Sequence, residues 1–288
     1  MQIFNKIKDI QKALTDYRFN GKTVGFVPTM GALHKGHISL IEKAKSDNDI
    51  TVCSIFVNPT QFNDKNDLAK YPRPIEEDKK ILAEAGCQVL FAPSAEEIYP
   101  GKDMTADSRQ LTETIQLGIL DKIMEGKHRP GHFNGVMQIV SKLFDIVMPE
   151  KAYFGQKDFQ QLAIIKSMVH QLNLPVKIVA CPIVRENDGL AMSSRNKLLS
   201  EEERKVAPLI YRTLINMKKL SSNHALEELK KFVAAELSKC ELIHLDYFEI
   251  VDVNTLNIPE HFSEVKESVA CIAVKLGNIR LIDNIFLN

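Results

Sequence analysis

Short apolar runs alternate with helical patterns through residues 23–93, and this alternation limits the chain to few folds. Three of the runs are typical of strands: 23–29, 50–57 and 87–93. The middle run, ITVCSIFV, is apolar along nearly its whole length, as expected of a parallel strand covered on both faces. Two segments between them place apolar residues at helical spacing: 37–48 and 75–86. The order β-α-β-α-β predicts a Rossmann-like, doubly wound parallel sheet that binds its ligand beyond the carboxyl ends of the strands.

The flanking patterns extend this prediction. Apolar residues at helical spacing predict a helix over residues 2–17, whereas residues 94–132 give a mixture of helix and loop signals. Further helices are predicted at 133–148 and 158–173, and further strands at 152–155 and 176–184. We therefore assign residues 1–184 to one nucleotide-binding domain.

The pattern changes after residue 184. Segment 185–200, RENDGLAMSSRNKLLS, is polar and contains a turn signal, which favours a linker. Two helices are then predicted, at 201–219 and 224–239. Three β-rich runs follow, and Gly277-Asn278 between the last two is a hairpin-type turn. Residues 185–288 are therefore predicted to form a smaller α+β domain.

Composition narrows the classes of partner. The 37 basic residues balance the 37 acidic ones, so no global positive field attracts nucleic acid or anionic lipid. The five cysteines are scattered with no C-x-x-C pair, which favours reduced thiols over disulfides or a zinc knuckle. No apolar run approaches the ~18 residues of a spanning helix. We predict a cytoplasmic protein without a membrane or nucleic-acid partner.

The loop after the first predicted strand carries the most informative motif, GALHKGH. Gly31 and Gly36 have the spacing of a phosphate-binding P-loop, but His37 and Ile38 stand where that loop requires lysine and a serine or threonine. The two glycines therefore have the spacing of a nucleotide-binding loop, but the side chains available to a ligand are imidazoles.

His34 and His37 are predicted to lie just before and at the start of the first crossover helix. The free N–H groups and the dipole of a helix amino terminus favour anions there. Both imidazoles can donate hydrogen bonds to phosphate oxygens, and histidine can also move a proton near neutral pH. Gly36 permits close approach of the backbone to a ligand. The structural alternative is that one histidine caps the helix and the other is a surface residue.

Zinc binding is a further alternative for the histidines. A zinc site needs a third and usually a fourth ligand. His128 and His132 are four residues apart, but Pro130 and Gly131 between them disrupt a helical zinc face. We therefore predict no metal site built from these side chains.

Six segments, in order through about two thirds of the chain, resemble the pantothenate synthetase family, the pantoate-β-alanine ligases of the H-x-G-H nucleotidyltransferase superfamily. They are PTMGALHKGH (28–37), SIFVNPTQF (54–62), YPR (71–73), RPGHFNGV (129–136), YFGQKDFQQL (153–162) and AMSSRNKLLS (191–200). The set is specific to the family, whereas H-x-G-H alone indicates only the superfamily.

The resemblance implies a reaction in two steps. Pantoate and ATP give pantoyl adenylate and pyrophosphate, and the amine of β-alanine then displaces AMP to give pantothenate. It also implies Mg²⁺ as cofactor and a homodimer. A carboxylate that attacks a phosphate brings two anions together, so cations and oriented donors are required around the spreading charge.

The resemblance further implies which residues act. His34, His37, Lys157 and Arg195 are expected to be catalytic, with His37 as proton donor. The expected ATP contacts are Met30, Gly31, Ala32, Leu33, His34, Lys35, Gly36, His37, Gly155, Gln156, Lys157, Asp158, Val184, Met192, Ser193, Ser194 and Arg195. The expected substrate contacts are Gln61, Gln161 and Asn58.

Structural alternatives remain for some of these residues. Residues 192–195, MSSR, resemble a mobile phosphate-binding loop, but the same letters fit an ordinary polar linker. Asp158 is also predicted as the N-cap of the next helix with Gln161 at its third position, a role that competes with substrate binding. Gln156 stands where family members commonly carry glutamate.

Three other functions are open to such a chain. The nearest is an adenylyltransferase of the same superfamily that acts on a different small carboxylic acid. A tRNA-charging relative is disfavoured because 288 residues of zero net charge leave no room for an anticodon-binding domain. A nucleotide-sensing protein without catalysis is disfavoured by the joint presence of Lys157, Arg195 and both histidines.

Overall fold

The computed structural model describes residues 1–63, 65–101 and 115–287. Within these ranges six parallel strands form the main sheet: β1 (Gln2–Phe4), β2 (Val24–Thr29), β3 (Ile50–Ile55), β4 (Val89–Phe91), β5 (Lys151–Gly155) and β6 (Lys177–Cys181). Their order is β1-β4-β3-β2-β5-β6. The chain leaves β2 toward β3 and β4 on one side and resumes at β5 and β6 on the other, so the switch point lies between β2 and β5. The predicted doubly wound parallel sheet is confirmed.

Helices cover the main sheet and also lie between it and the later strands of the chain. Those of the described residues are α1 (Ile7–Phe19), α2 (Lys35–Asp47), α3 (Lys65–Lys70), α4 (Ile75–Glu84), α5 (Ala95–Ile98), α6 (Met124–His128), α7 (His132–Val147), α8 (Phe159–Gln171), α9 (Glu201–Val206), α10 (Leu209–Leu220) and α11 (Leu226–Leu237). Short 3₁₀ turns occur at Pro59–Gln61, Gln156–Asp158, Ser194–Leu198 and Phe262–Glu264.

Both faces of the main sheet are buried. In β2, Phe26 belongs to the cluster that packs under α1, α7 and α8, whereas Val27 belongs to the cluster under α2 and α4. In β3, Val52 belongs to the first of these clusters and Cys53 to the second. Successive strand residues point to opposite faces, so a strand covered on both sides is apolar throughout.

A second, antiparallel sheet lies near the end of the chain, with the order β7 (Ile243–Asp252), β8 (Ser268–Leu276) and β9 (Ile279–Phe286). Gly277 turns β8 into β9 with a φ of +57°, as the hairpin signal predicted. Helices α10 and α11 pack on this sheet around Ile210, Leu214 and Ile250. The smaller α+β part is therefore present, and its division from the first part at residue 184 stays a prediction.

Two helix predictions were wrong in their extent. The helix predicted over 2–17 begins at Ile7, because residues 2–4 extend the sheet as an edge strand in which Ile3 pairs with Leu90. The helix predicted over 201–219 is two helices, α9 and α10. Pro208 lies between them and has no N–H to continue the ladder of hydrogen bonds.

Of the stretch 94–132, for which the sequence patterns predict a mixture of helix and loop, the described residues contain α5 and α6, and residues 102–114 lie outside the described residues. In the parts of the chain that the structure describes, every helix is too short or too polar to cross a bilayer.

Candidate active site

A cavity of about 220 Å³ opens at the carboxyl ends of β2 and β5, at the switch point of the sheet. Most of the predicted site residues line it: Met30, His34, Gly36, His37, Gln61, Gly155, Lys157, Asp158, Gln161, Val184, Met192, Ser193, Ser194 and Arg195. Segments separated by more than a hundred positions in the sequence therefore meet around one space.

The two histidines of the H-x-G-H motif hold each other in place. His34 is the N-cap of α2, and its Nδ1 accepts a hydrogen bond of 3.1 Å from the backbone N–H of Gly36. The backbone N–H of His34 donates at 3.3 Å to Nδ1 of His37. The ring centroids are 4.1 Å apart. Capping and catalysis are therefore not alternatives here, since the Nδ1 atoms cap the helix and the Nε2 atoms stay available to a ligand.

Gly36 makes this arrangement possible. A Cβ atom at position 36 would lie 2.9 Å from Cε1 and Nδ1 of His34, closer than side-chain carbons approach such atoms. The glycine in the motif therefore makes room for the folded-back ring of His34, in addition to the predicted close approach of a ligand.

Both imidazoles are neutral at physiological pH in this geometry. Burial, followed by the charge of Lys157, lowers the pKa of His34 to about 4. Burial, followed by His34 and then Lys157, lowers the pKa of His37 well below its usual value. Because each Nδ1 accepts a hydrogen bond, the neutral rings carry their proton on Nε2. Each ring thus offers one Nε2–H donor.

Lys157 reaches the cavity from the 3₁₀ turn after β5, and its side chain is 19% exposed. Asn284 of β9 fixes this turn, since its Nδ2 donates to the carbonyl oxygens of Gln156 at 2.8 Å and of Lys157 at 3.0 Å. Asp158 occupies the N-cap position of α8, as predicted, but its side chain makes no capping bond. The carboxylate of Asp158 therefore stays available to the cavity.

The MSSR segment covers the cavity from the other side. Ser194 Oγ donates to the carbonyl oxygen of Ala32 at 3.0 Å, which joins the segment to the histidine loop. Arg195 pairs with Asp67 at 2.9 Å and lies over the ring of Tyr71 at 5.7 Å. Ser193 caps the 3₁₀ turn Ser194–Leu198, so the segment leads into regular structure that places its side chains at the cavity.

Apolar side chains and two amides form the inner end of the cavity. The apolar wall consists of Pro28, Leu40, Phe56, Val136, Ile139, Val140 and Leu143. Gln61 is 8% exposed, and its Nε2 donates to the sulfur of Met30 at 3.2 Å, a weak acceptor. Gln61 and Gln161 thus present polar groups beside apolar surface, which suits a small ligand that carries both hydroxyl and methyl groups.

The other predicted residues lie outside the lining. Gly31, Ala32 and Leu33 are buried beneath it, Lys35 is exposed, and Gln156 lies in the turn that carries Lys157. Asn58 is fully buried, and it donates to the carbonyl oxygen of Gly135 at 2.9 Å and accepts from the hydroxyl of Tyr99 at 2.9 Å. Its predicted contact with substrate stays a prediction, and its bonds hold the turn that carries Gln61.

One carboxylate is available for a cation. Among the described residues that line the cavity, only Asp158 carries a carboxylate, and its side chain is 48% exposed. A single carboxylate together with phosphate oxygens and water is a ligand set that Mg²⁺ accepts. A potential three-ligand cluster among the described residues, Glu260, His261 and Glu264, is exposed and away from this site.

Comparison with known proteins identifies the family. The sequence pattern of the family described as pantoate-beta-alanine ligase matches residues 2–286. The chain belongs to the pantoate-beta-alanine ligase family. A pantothenate synthetase of Porphyromonas gingivalis W83 is 53% identical over 285 residues, which cover 99% of each chain. One of Bacteroides thetaiotaomicron is 52% identical over 285 residues, which cover 99% of this chain and 98% of that one.

Solved structures of the family agree with this fold. A pantothenate synthetase from Thermus thermophilus superposes with a TM-score of 0.91 at 40% identity, over 100% of this chain and 99% of that one. A pantoate-beta-alanine ligase from Francisella tularensis, complexed with beta-gamma ATP and beta-alanine, has a TM-score of 0.81 at 37% identity, over 100% and 98% of the two chains. The family's reaction is the ATP-dependent ligation of pantoate to β-alanine, which forms pantothenate.

The predictions from sequence missed an arginine–histidine pair beside Gln61, in which Arg129 carries the charge. Nδ1 of His132 lies 2.7 Å from the carbonyl oxygen of Gln61, and Arg129 Nη1 lies 3.1 Å from Nε2 of His132. Burial, followed by the charge of Arg129, lowers the pKa of His132 to about 4. These residues line a smaller cavity that Lys157, Asp158 and Gln161 also border. The signal was available, because both lie in the RPGH segment that carries the family resemblance.

Proposed function

We propose that this cavity carries out both half-reactions of pantothenate formation, with pantoyl adenylate as the intermediate between them. The observation that carries the proposal is the convergence of His34, His37, Lys157 and Arg195 on one cavity at the switch point of the sheet. Their four side chains come from three separate segments, and all of them suit a triphosphate.

In the first half-reaction a pantoate carboxylate oxygen attacks the α-phosphorus of ATP, and the bond from this phosphorus to pyrophosphate breaks. Negative charge spreads over the phosphate oxygens as the two anions meet. The Nε2–H groups of His34 and His37 and the ammonium of Lys157 stabilise this charge, and Arg195 binds the leaving pyrophosphate. His37 is assigned as the proton donor to the departing pyrophosphate.

The apolar wall and the two glutamines explain the choice of acid. Pantoate carries a carbon with two methyl groups between two hydroxyl-bearing carbons. Its methyl groups suit Val136, Val140 and Leu143, and its hydroxyls suit the amides of Gln61 and Gln161, which both donate and accept.

In the second half-reaction the amine of β-alanine attacks the acyl carbon of the adenylate, and the bond from this carbon to AMP breaks. The amine must lose its proton before or during attack, and its carboxylate needs a cation at a distance from the reaction. Arg129, held beside His132 and Gln61, lines the smaller cavity that adjoins this one and is a cation that meets this requirement.

Asp158 is the residue of the cavity that would hold Mg²⁺, and the ion would neutralise charge on the phosphates. The homodimer and the cytoplasmic location stay predictions. Light scattering on the purified protein tests the dimer directly.

Isotope exchange tests the proposed chemistry. With pantoate, ATP and Mg²⁺ but no β-alanine, labelled pyrophosphate should enter ATP, because the first half-reaction is reversible on its own. Replacing pantoate by other small hydroxy acids should abolish the exchange, which separates this activity from that of a related adenylyltransferase. A folded sample that shows no pantoate-dependent exchange would contradict the proposal.

A further inference from the structure

We propose that Asp78 is a positioning residue of this site, whose buried carboxylate fixes loop 31–33 and thereby both the histidine pair and Ser194. The inference rests on the proposed binding of ATP. Asp78 lies outside the residues that line the cavity, so it acts through the backbone of the loop and not on the ligand.

Both carboxylate oxygens of Asp78 accept hydrogen bonds from this loop. Its Oδ2 accepts from the backbone N–H of Ala32 at 2.8 Å, and its Oδ1 accepts from that of Leu33 at 2.7 Å. Asp78 is 1% exposed, and burial raises the pKa of its carboxyl group. Asp78 lies in the first turn of α4, where the helix dipole favours negative charge. Hydrogen bonds to a charged group are the strong ones, so this pair holds the loop firmly.

The loop needs such a hold because its backbone is unusual. Gly31 has a φ of +80°, and Ala32, which has a side chain, has a φ of +50°. A left-handed conformation in a residue other than glycine is strained and persists only when its surroundings impose it. A Cβ atom at position 31 would lie 2.9 Å from Oδ2 of Asp78, so the carboxylate also requires glycine there.

Ala32 connects the two elements that face the phosphates. Its N–H is bound by Asp78, its carbonyl oxygen accepts from Ser194, and the chain two residues later caps α2 with His34. One peptide segment therefore sets the position of the histidine pair on one side and of the MSSR segment on the other. Loosening it should weaken binding of the triphosphate and leave binding of the nucleoside unchanged.

The test compares Asp78→Asn with Glu76→Gln, an acid-to-amide control in the same turn of α4 on a side chain that is 78% exposed. In Asp78→Asn one amide N–H must face a backbone N–H, which leaves a buried donor unpaired. The dissociation constant of ATP should rise about tenfold or more, and that of adenosine should stay within about twofold. Glu76→Gln should change neither.

The kinetic readout separates positioning from general stability. In the exchange assay the KM for ATP should rise for Asp78→Asn while the KM for pantoate stays near the wild-type value. An ATP affinity within twofold of wild type, or an equal loss for ATP and adenosine, would overturn the role of Asp78. A wild-type protein that binds no ATP would overturn the proposed function and this inference with it.

A measurement on the wild-type protein keeps the inference testable if Asp78→Asn does not fold. Amide hydrogen exchange of Ala32 and Leu33 should be slow in the free protein and should change little when ATP is added, because the carboxylate has already fixed the loop. Exchange at the rate of an unstructured peptide without ATP would overturn the inference.

Discussion

The imidazole Nδ1 atoms of His34 and His37 are occupied by backbone N–H groups before any ligand arrives. This occupancy decides which nitrogen faces the cavity and which tautomer the ring adopts. A neutral imidazole with Nε2–H is a donor to phosphate without the desolvation cost of a buried charge. The H-x-G-H motif thus places two Nε2–H donors at the amino terminus of α2.

The titration of His34 should reveal this environment. Its pKa in the free protein should lie about 4 by NMR, and bound ATP should raise it because an anion favours the charged ring. In the unfolded chain the pKa of His34 is near the usual value of 6.5. The contribution of neutral His34 to the free energy of unfolding should therefore be complete above pH 6.5 and should decrease as the pH falls from 6.5 to about 4. A titration midpoint near 6.5 in the free protein would contradict the geometry.

Removal of single charge-stabilising groups should slow the reaction strongly. Lys157→Ala and His37→Ala should each lower kcat by roughly 10² to 10³, the scale for losing one preorganised donor. Lys166→Ala is the matched control for Lys157→Ala, since Lys166 is exposed on α8 and lies away from the cavity. Steady-state kinetics with all three substrates provides the measurement. A loss below about tenfold in both variants would mean that the roles are misassigned.

At the scale of elements, periodicity predicted the strands and helices that build the site. Strand β3 and helix α2 follow from apolar spacing because both are long and packed on the core. Strand β1 does not, since three residues at a sheet edge depend on the partner strand β4 and not on a local pattern. Its residues are also spaced to continue the helix that follows.

Some site residues could be predicted from the sequence and others could not. The cavity residues in H-x-G-H and the YFGQKD segment could be predicted because their chemistry is local and matches a family. Asp78 could not, since a carboxylate in the sequence IEEDKK is indistinguishable from the acidic first turn of any solvated helix. Asn284 was missed for the same reason, because its partners are backbone carbonyls far away in sequence.

The segment that carries Arg195 should close over bound substrates. Its pair with Asp67 is partly exposed and worth only about 0–1 kcal/mol, so phosphate oxygens can replace the carboxylate. An adenylate also needs protection from water. ATP with pantoate should therefore slow tryptic cleavage after Lys197, while cleavage after Lys219 on α10 serves as control. Equal rates with and without the substrates would contradict closure.

At the scale of the whole molecule, β9 of the second sheet is joined to the segments that follow β5 and β6 by charged and polar groups beside the site. Arg185 forms a bidentate pair with Asp283 of β9, at 2.7 and 2.9 Å, and stacks on Tyr211 at 3.7 Å. The neighbouring Asn284 holds the turn that carries Lys157. The second sheet therefore supports the candidate site, although none of the described residues that line the larger cavity comes from its strands.

Breaking this pair from one side should be costly. Arg185→Met leaves the carboxylate of Asp283, whose side chain is 3% exposed, buried without its cation. The free energy of unfolding should fall by roughly 3–5 kcal/mol, and by clearly less in the double variant Arg185→Met with Asp283→Leu. Arg204→Met breaks the exposed pair with Asp188 and should cost below about 1 kcal/mol. Equal losses in the single and double variants, measured by urea unfolding, would contradict this account.

The most direct test is a crystal structure with a non-hydrolysable ATP analogue and Mg²⁺. Nε2 of His34 and His37 and Nζ of Lys157 should lie within about 3.2 Å of phosphate oxygens of one triphosphate. Arg195 should have left Asp67 for the same phosphates. A triphosphate bound elsewhere, or one with Lys157 more than about 6 Å from every phosphate oxygen, would contradict this arrangement.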